Sequence, residues 1–396
     1  MIKRKHIYIL LMVGAADIAS TSIGAAPGGE TLASGKNEAR SHCSSAETVT
    51  FSAGSTWHLC YQAVSKYGLI VEGAFFQKSP SSPSVKVLHD ARISEIFVPY
   101  EVFFPDSLGS PGFYDIADFD FPSLKLSLAD CPKGSIIGRG KVCKEFRDRG
   151  IAWKDDALVR LGEEVVLWSV LDADNYNYIL EWSFHDDGTV VIRAGSTGPK
   201  VLGPDDRLGH IHNFTWRLDI DLNGASGDSV YKTKHDWDPH VGSSCGFLLD
   251  ETTGEVNDPL KPCDSETLVS PEKGIVWNPL QFTTLKIGDS FLVNGNGRPT
   301  SYELIPLRTG TARFIEAYTR KDVWVTKYDG TQLLAKDLPT YVNGESVSNA
   351  DVVVWYTGSV HHESNTRDED RDTVPVKWIG FELSPQNLFE GTPFYP

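Results

Sequence analysis

The chain has no CxxC pair, no internal repeat and no long stretch of helical periodicity. Without CxxC, a zinc knuckle or a thioredoxin-type redox motif is disfavoured. Basic residues are also scarce: 37 Lys and Arg stand against 53 Asp and Glu, a formal net charge of −16. That balance argues against a nucleic-acid partner, which needs a basic stripe. It suits solubility first and attraction of a cationic substrate second. After the first segment no run is apolar enough for the roughly 20 residues that cross a bilayer, so no membrane-spanning element is expected.

What is present starts with a leader-like segment. MIKRKHIYILLMVGAADIAS carries Lys3, Arg4 and Lys5, then an uncharged run from Ile7 to Ala16, with small residues continuing to Ala26. Residues 1–26 therefore read as a signal peptide, and the protein as soluble and secreted to the extracellular side. Six cysteines fit that compartment. Cys43 and Cys60, Cys131 and Cys143, and Cys245 and Cys263 are close pairs in sequence, which suggests three local disulfides. Residues 27–46, rich in Gly, Ser and Ala, are expected to be a loose N-terminus. From residue 47 onward short apolar runs are broken by Gly, Ser and Pro. YNYILEWSF and TVVIR are joined by HDDG, a good hairpin turn. Residues 225–300 read as loops with short strands. The expected fold is all-β, a large antiparallel β-sandwich, with residues 47–396 as one domain.

Two stretches carry candidate chemistry. In LGHIHNFTWRLDIDLNG, strand alternation puts His210 and His212 on one face, where both imidazoles can converge on one ion. A third ligand is available in WYTGSVHHES, as His361 or His362. Three neutral imidazoles suit copper or zinc. A cupin would place Glu three or four residues after the second histidine; Thr215 and Trp216 stand there instead. A three-histidine zinc hydrolase stays open on ligands alone. The sequon Asn213-Phe-Thr215 directly follows this pair and is expected to be buried and unmodified. In LDADNYNYILEW, Tyr176 and Tyr178 point to the same face, so alternation does not choose between them.

In their order, these segments resemble the catalytic domain of the copper amine oxidases, over roughly residues 55–396. VPY ending at Tyr100, FYDIADF around Asp115, CPKG with GKVCKEFRDRGIAWK, DNYNYILEW, GHIHNFTWRLDIDLNG, SYELIPL, RKDVWVTKY, DVVVWYTGSVHH and GFELSPQNLFEGTP carry the resemblance. It implies copper held by His210, His212 and His362, the last chosen because the ligand lies eleven residues after Asp351. It implies a topaquinone cofactor made from Tyr176, with Asn175 restraining the ring and Tyr100 orienting it. Asp115 would be the base that takes a proton from a primary amine substrate, with dioxygen as the other reactant. A disulfide between Cys131 and Cys143 is implied too. So are calcium at Asp219, Asp221 and Asp351 with the carbonyls of Ile220 and Val352, and a homodimer. For Asp219 and Asp221 the competing reading is a solvated acidic strand face.

The chain departs from the family in three respects. Asn177 stands where an acidic residue usually follows the cofactor tyrosine, and Asp172 where a Thr is usual. Tyr176 and His210 are only 34 residues apart. The family's small N-terminal domains are not expected within residues 1–46. These departures set up the main competing reading, a copper-binding relative that forms no quinone.

Overall fold

The computed structural model describes residues 43–100, 112–174, 176–199, 209–235, 246–249, 252–253, 256–261, 263–308, 316–362 and 373–391. The expected signal peptide, most of the expected loose N-terminus, Asn175 and Cys245 lie outside these residues. Residues 43–46 are not loose. Cys43 is bonded to Cys60, and strand Ser45–Thr50 pairs along Thr56–Val64.

Two large antiparallel sheets dominate the described residues. In the first, the path runs through Gly68–Gln77, Asp90–Pro99, His210–Ile220, Val352–His362 and Val323–Lys327. In the second, Leu158–Ala173, Tyr176–His185, Val190–Pro199 and Thr373–Gln386 are successive neighbours. The HDDG turn forms as expected: the His185 amide donates to the Thr189 carbonyl, and Gly188 takes a positive φ of 90°. A side chain at Gly188 would press on Leu388 and Phe76, so the turn needs glycine for space as well as for φ.

Alternation explains how the strands are buried. Phe214, Trp216, Leu218 and Ile220 of one central strand, and Val352, Val354 and Tyr356 of its neighbour, join the main core between the sheets. Tyr176, Tyr178, Leu180, Trp182 and Phe184 meet them from the second sheet. Val353 and Trp355 point the other way, into a smaller cluster with Phe97, Tyr318, Ala335 and Leu338. Both faces of the Val352–His362 strand are therefore covered, which is why VVVWY is continuously apolar.

Residues 225–300 are expected to be loops with short strands, and the structure gives two of those strands eight and ten residues. Asp228–His235 and Thr284–Val293 are paired strands of the second sheet. Asp228, Ser229 and Asp289 are polar residues buried in these strands, and they hid the apolar period of two.

Candidate active site

The three imidazoles come from two paired strands of the first sheet. His210 is directly opposite His362 in the ladder, and His212 lies two residues further along. Even-numbered residues of the His210–Ile220 strand face the core, so both its histidines look toward the second sheet. Ring centroids are 5.0 Å apart for His210 and His212, 4.9 Å for His210 and His362, and 4.7 Å for His212 and His362. All three side chains are buried, and one nitrogen from each lies within 4.8 Å of the others. His361 points outward and is exposed.

This arrangement fits a bound cation. His362 Nδ1 lies 3.1 Å from His210 Nε2, so two ring nitrogens converge on the same space. His212 Nε2 is buried with no hydrogen-bond partner among the described residues. Burial, and then its neighbours His362 and His210, hold the His212 ring far below the ordinary imidazole pKa. It is a neutral imidazole with a lone pair to give. Ser196 Oγ, on strand Val190–Pro199, lies 3.2 Å from His362 Nε2 and orients that ring.

Tyr176 opens its strand directly after a tight turn in which Asp174 has a φ of 64°. Its hydroxyl is 2.8 Å from His210 Nε2. Its ring lies against all three imidazoles, with centroids at 5.5, 4.9 and 5.6 Å from His210, His212 and His362. Burial keeps this phenol protonated in the metal-free protein. Tyr100 bridges to His210 across the sheet and stacks on its ring, with centroids 4.7 Å apart. Asn177 pairs directly with Asp172 on the neighbouring strand, so a carboxylate stands across the ladder from the amide.

Asp115 is buried, and burial pushes its carboxyl up to about 7; Asp118 adds to the rise, while a hydrogen bond from Tyr178 opposes it. Alternation does not choose between Tyr178 and Tyr176, and the structure gives Tyr178 contacts of its own. Its hydroxyl donates to Asp115 Oδ2 at 2.5 Å and lies 3.2 Å from His212 Nδ1. It thus links the carboxyl group to the imidazoles. The available signal was the shared face with Tyr176, and the two rings are nearly parallel, 6.4 Å apart. Ser196 had no comparable signal.

A second cluster sits at the far end of the same two strands. Asp219, Asp221 and Asp351 bring carboxylate oxygens within 4.8 Å of one another, and Ile220 pairs with Val352. Asp219 and Asp221 are buried, which excludes the solvated-face reading. Their Oδ1 atoms, and that of Asp351, have no hydrogen-bond partner among the described residues, as a cation site requires. Burial pushes Asp219 up to about 8 and Asp351 to about 6. Asp221 behaves differently. Burial would raise it, but His89 and Lys86 outweigh burial and hold it below the usual range. The Lys86 ammonium is 2.7 Å from Asp221 Oδ2, a contact that no sequence pattern announced.

Cys131 and Cys143 are bonded as expected; Cys263 is also disulfide-bonded. Asn213 and Thr215 of the sequon are fully buried.

Comparison with known proteins agrees with this architecture. Residues 207–395 match the family model described as copper amine oxidase, enzyme domain, a span that contains all three histidines but not Tyr176 or Asp115. Primary amine oxidase 2 of Arabidopsis thaliana is 25% identical over 389 residues, covering 82% of this chain and 55% of that protein. Primary amine oxidase of Klebsiella aerogenes is 27% identical over 281 residues, covering 58% and 35%. Among solved structures, the copper-containing benzylamine oxidase of Hansenula polymorpha superposes with a TM-score of 0.68 at 19% identity, covering 87% of this chain and 61% of that one. Pichia pastoris lysyl oxidase gives 0.67 at 15%, covering 85% and 51%. The chain spans about half the length of the Arabidopsis relative. It has the fold of the copper amine oxidase structures, and its residues 207–395 are similar to the enzyme domain of that family.

Proposed function

We propose that this chain is an exported, copper- and topaquinone-dependent oxidase that deaminates primary amines. With dioxygen and water it would yield an aldehyde, ammonia and hydrogen peroxide. The observation that carries the proposal is the Tyr176 hydroxyl at 2.8 Å from His210 Nε2, inside a buried three-histidine cluster. His210, His212 and His362 would hold copper. Tyr176 would be the precursor of the quinone, whose electrophilic carbonyl binds the amine. Asp115 would take the proton from the amine-bearing carbon; its pKa of about 7 suits a base working near neutrality. Tyr178 would hold the Asp115 carboxyl by its hydrogen bond. Tyr100 and Asn175 would flank the ring. The sheet core excludes bulk water from this space. Asp219, Asp221 and Asp351, with the carbonyls of Ile220 and Val352, would hold calcium. Export is supported by the disulfides. Among the described residues no helix is long and apolar enough to cross a membrane.

Phenylhydrazine titration of copper-loaded protein tests the proposal. A coloured adduct on the peptide containing Tyr176 is expected. Absence of the adduct, with Tyr176 unmodified by peptide mass, would overturn it. If copper is nonetheless bound in stoichiometric amount, the chain is a copper-binding relative without a quinone. Stoichiometric zinc with no uptake of copper would instead point to a hydrolase.

A further inference from the structure

One buried acid near the site has a role still to be assigned. Glu95 lies on strand Asp90–Pro99 and has no exposed surface. Along this strand Thr215 pairs with Glu95 but Trp216 pairs with Ile93, which leaves Ser94 as the extra residue of a β-bulge. The bulge reverses the strand's phase. Ala91 and Ile93 join the main core before it; Ile96, Val98 and Tyr100 do so after it. Were the strand to alternate regularly through Ser94, Glu95 would point between the sheets, and Tyr100 away from His210.

The redirected carboxyl group meets the turn that carries Asp115. Glu95 Oε1 accepts the backbone amides of Ile96 at 3.0 Å, Ile116 at 3.0 Å and Ala117 at 3.4 Å. The amide of Asp115 itself donates to the Ile96 carbonyl at 2.9 Å. Three consecutive amides, from Asp115 to Ala117, are thereby fixed to Glu95 and its neighbour. The Asp115 side chain is left to reach Tyr178. A neutral acceptor could satisfy these amides without burying an acid, yet Glu95 Oε2 is buried with no partner among the described residues. Burial pushes this carboxyl up to about 8 against the three amide donors, and the charge of Asp115 adds to the rise.

We propose that Glu95 is a positioning residue for Asp115, fixing the 115–117 turn so that the Asp115 carboxyl is presented to Tyr178 and to the substrate carbon. This rests on the functional reading above. The test uses copper-loaded, full-length protein. Amide exchange in the wild type should show Ile116 and Ala117 protected to the level of the neighbouring strand. In Glu95→Leu those two amides should exchange faster and kcat should fall ~100-fold, the scale of a 1 Å misplacement. KM should stay within about threefold of the wild type, because amine binding is not the step lost. Glu95→Gln keeps the acceptor oxygen and should restore both protection and kcat. Wild-type amides exchanging like an open loop would overturn the placement, whether or not the protein turns over or Glu95→Leu folds. A folded Glu95→Leu with full kcat, or Glu95→Gln as slow as Glu95→Leu, would overturn the positioning role. A wild type that forms no hydrazine adduct counts against the enzyme reading and leaves the exchange result to judge Glu95's hold on the turn.

Discussion

The two ends of the His210–Ile220 and Val352–His362 pair make opposite chemical offers. At one end three imidazoles converge; at the other, three carboxylates. About nine residues separate them, ~30 Å at the usual strand rise, and Phe214, Trp216 and Leu218 fill the interval. Both ends are buried, and in both, burial favours the uncharged form. Burial lowers His212 and raises Asp219. A metal ion would relieve that cost at either end, but the donors select different ions. Neutral nitrogens suit copper, and charged oxygens suit calcium. The ends also differ in what already balances them. Lys86 and His89 approach the carboxylates, whereas the imidazoles have hydroxyl groups as neighbours. The carboxylate end thus already has cationic groups beside it.

The strongest way to break this contrast is His212→Ala. It should abolish stoichiometric copper binding and leave Tyr176 unmodified. Metal analysis and the mass of the Tyr176 peptide are the readouts, and full copper with a modified tyrosine would refute the assignment. Asp115→Asn should keep copper and hydrazine reactivity but lower kcat/KM by ~10³-fold, the range for loss of a general base. Next in size is Tyr178→Phe. Its hydrogen bond holds the Asp115 carboxyl down, so removing it should move the acid limb of kcat/KM above about 7. Near neutrality a smaller fraction of Asp115 would be ionised. A limb that moves up by one pH unit should lower the rate there by up to ~10-fold. An unmoved limb would show that the contact does not set the ionisation.

The smallest effect belongs to the carboxylate end. Asp219 and Asp351 have folded pKa values of about 8 and about 6, above the ordinary 3.8. Between those limits the native state keeps protons that the unfolded chain has released. Stability of the metal-free protein should therefore fall as pH rises from about 4 to about 8. Asp221 works in the opposite sense, since its folded pKa is lowered. Added calcium should flatten the fall. Melting temperatures across this range, with calcium and with a chelator, provide the check; identical curves would count against a cation site.

Much of this was legible in the sequence because alternation is a strong signal. HxH on a strand places two imidazoles together, and the structure does so. The choice between His361 and His362 needed the family resemblance, and the ladder register then set His362 opposite His210. Other features depended on contacts that no pattern encodes. Ser94 is one ordinary residue, yet as a bulge it decides which face Glu95 and Tyr100 occupy. Tyr178 meets Asp115 across 63 residues of chain, and Lys86 meets Asp221 across 135. Such meetings are set by how strands are ordered in space.

The buried sequon has a consequence for biosynthesis. Asn213 donates to the Phe97 carbonyl and accepts from Ser359, and Thr215 meets Thr357, all inside the first sheet. A glycan at Asn213 and the native ladder exclude each other. In a host that glycosylates chains during export, the enzyme that adds the glycan and the closing sheet would compete for the same amide. Mass analysis of material exported from such a host should find Asn213 bare in every folded molecule, with any modified chains confined to the misfolded fraction.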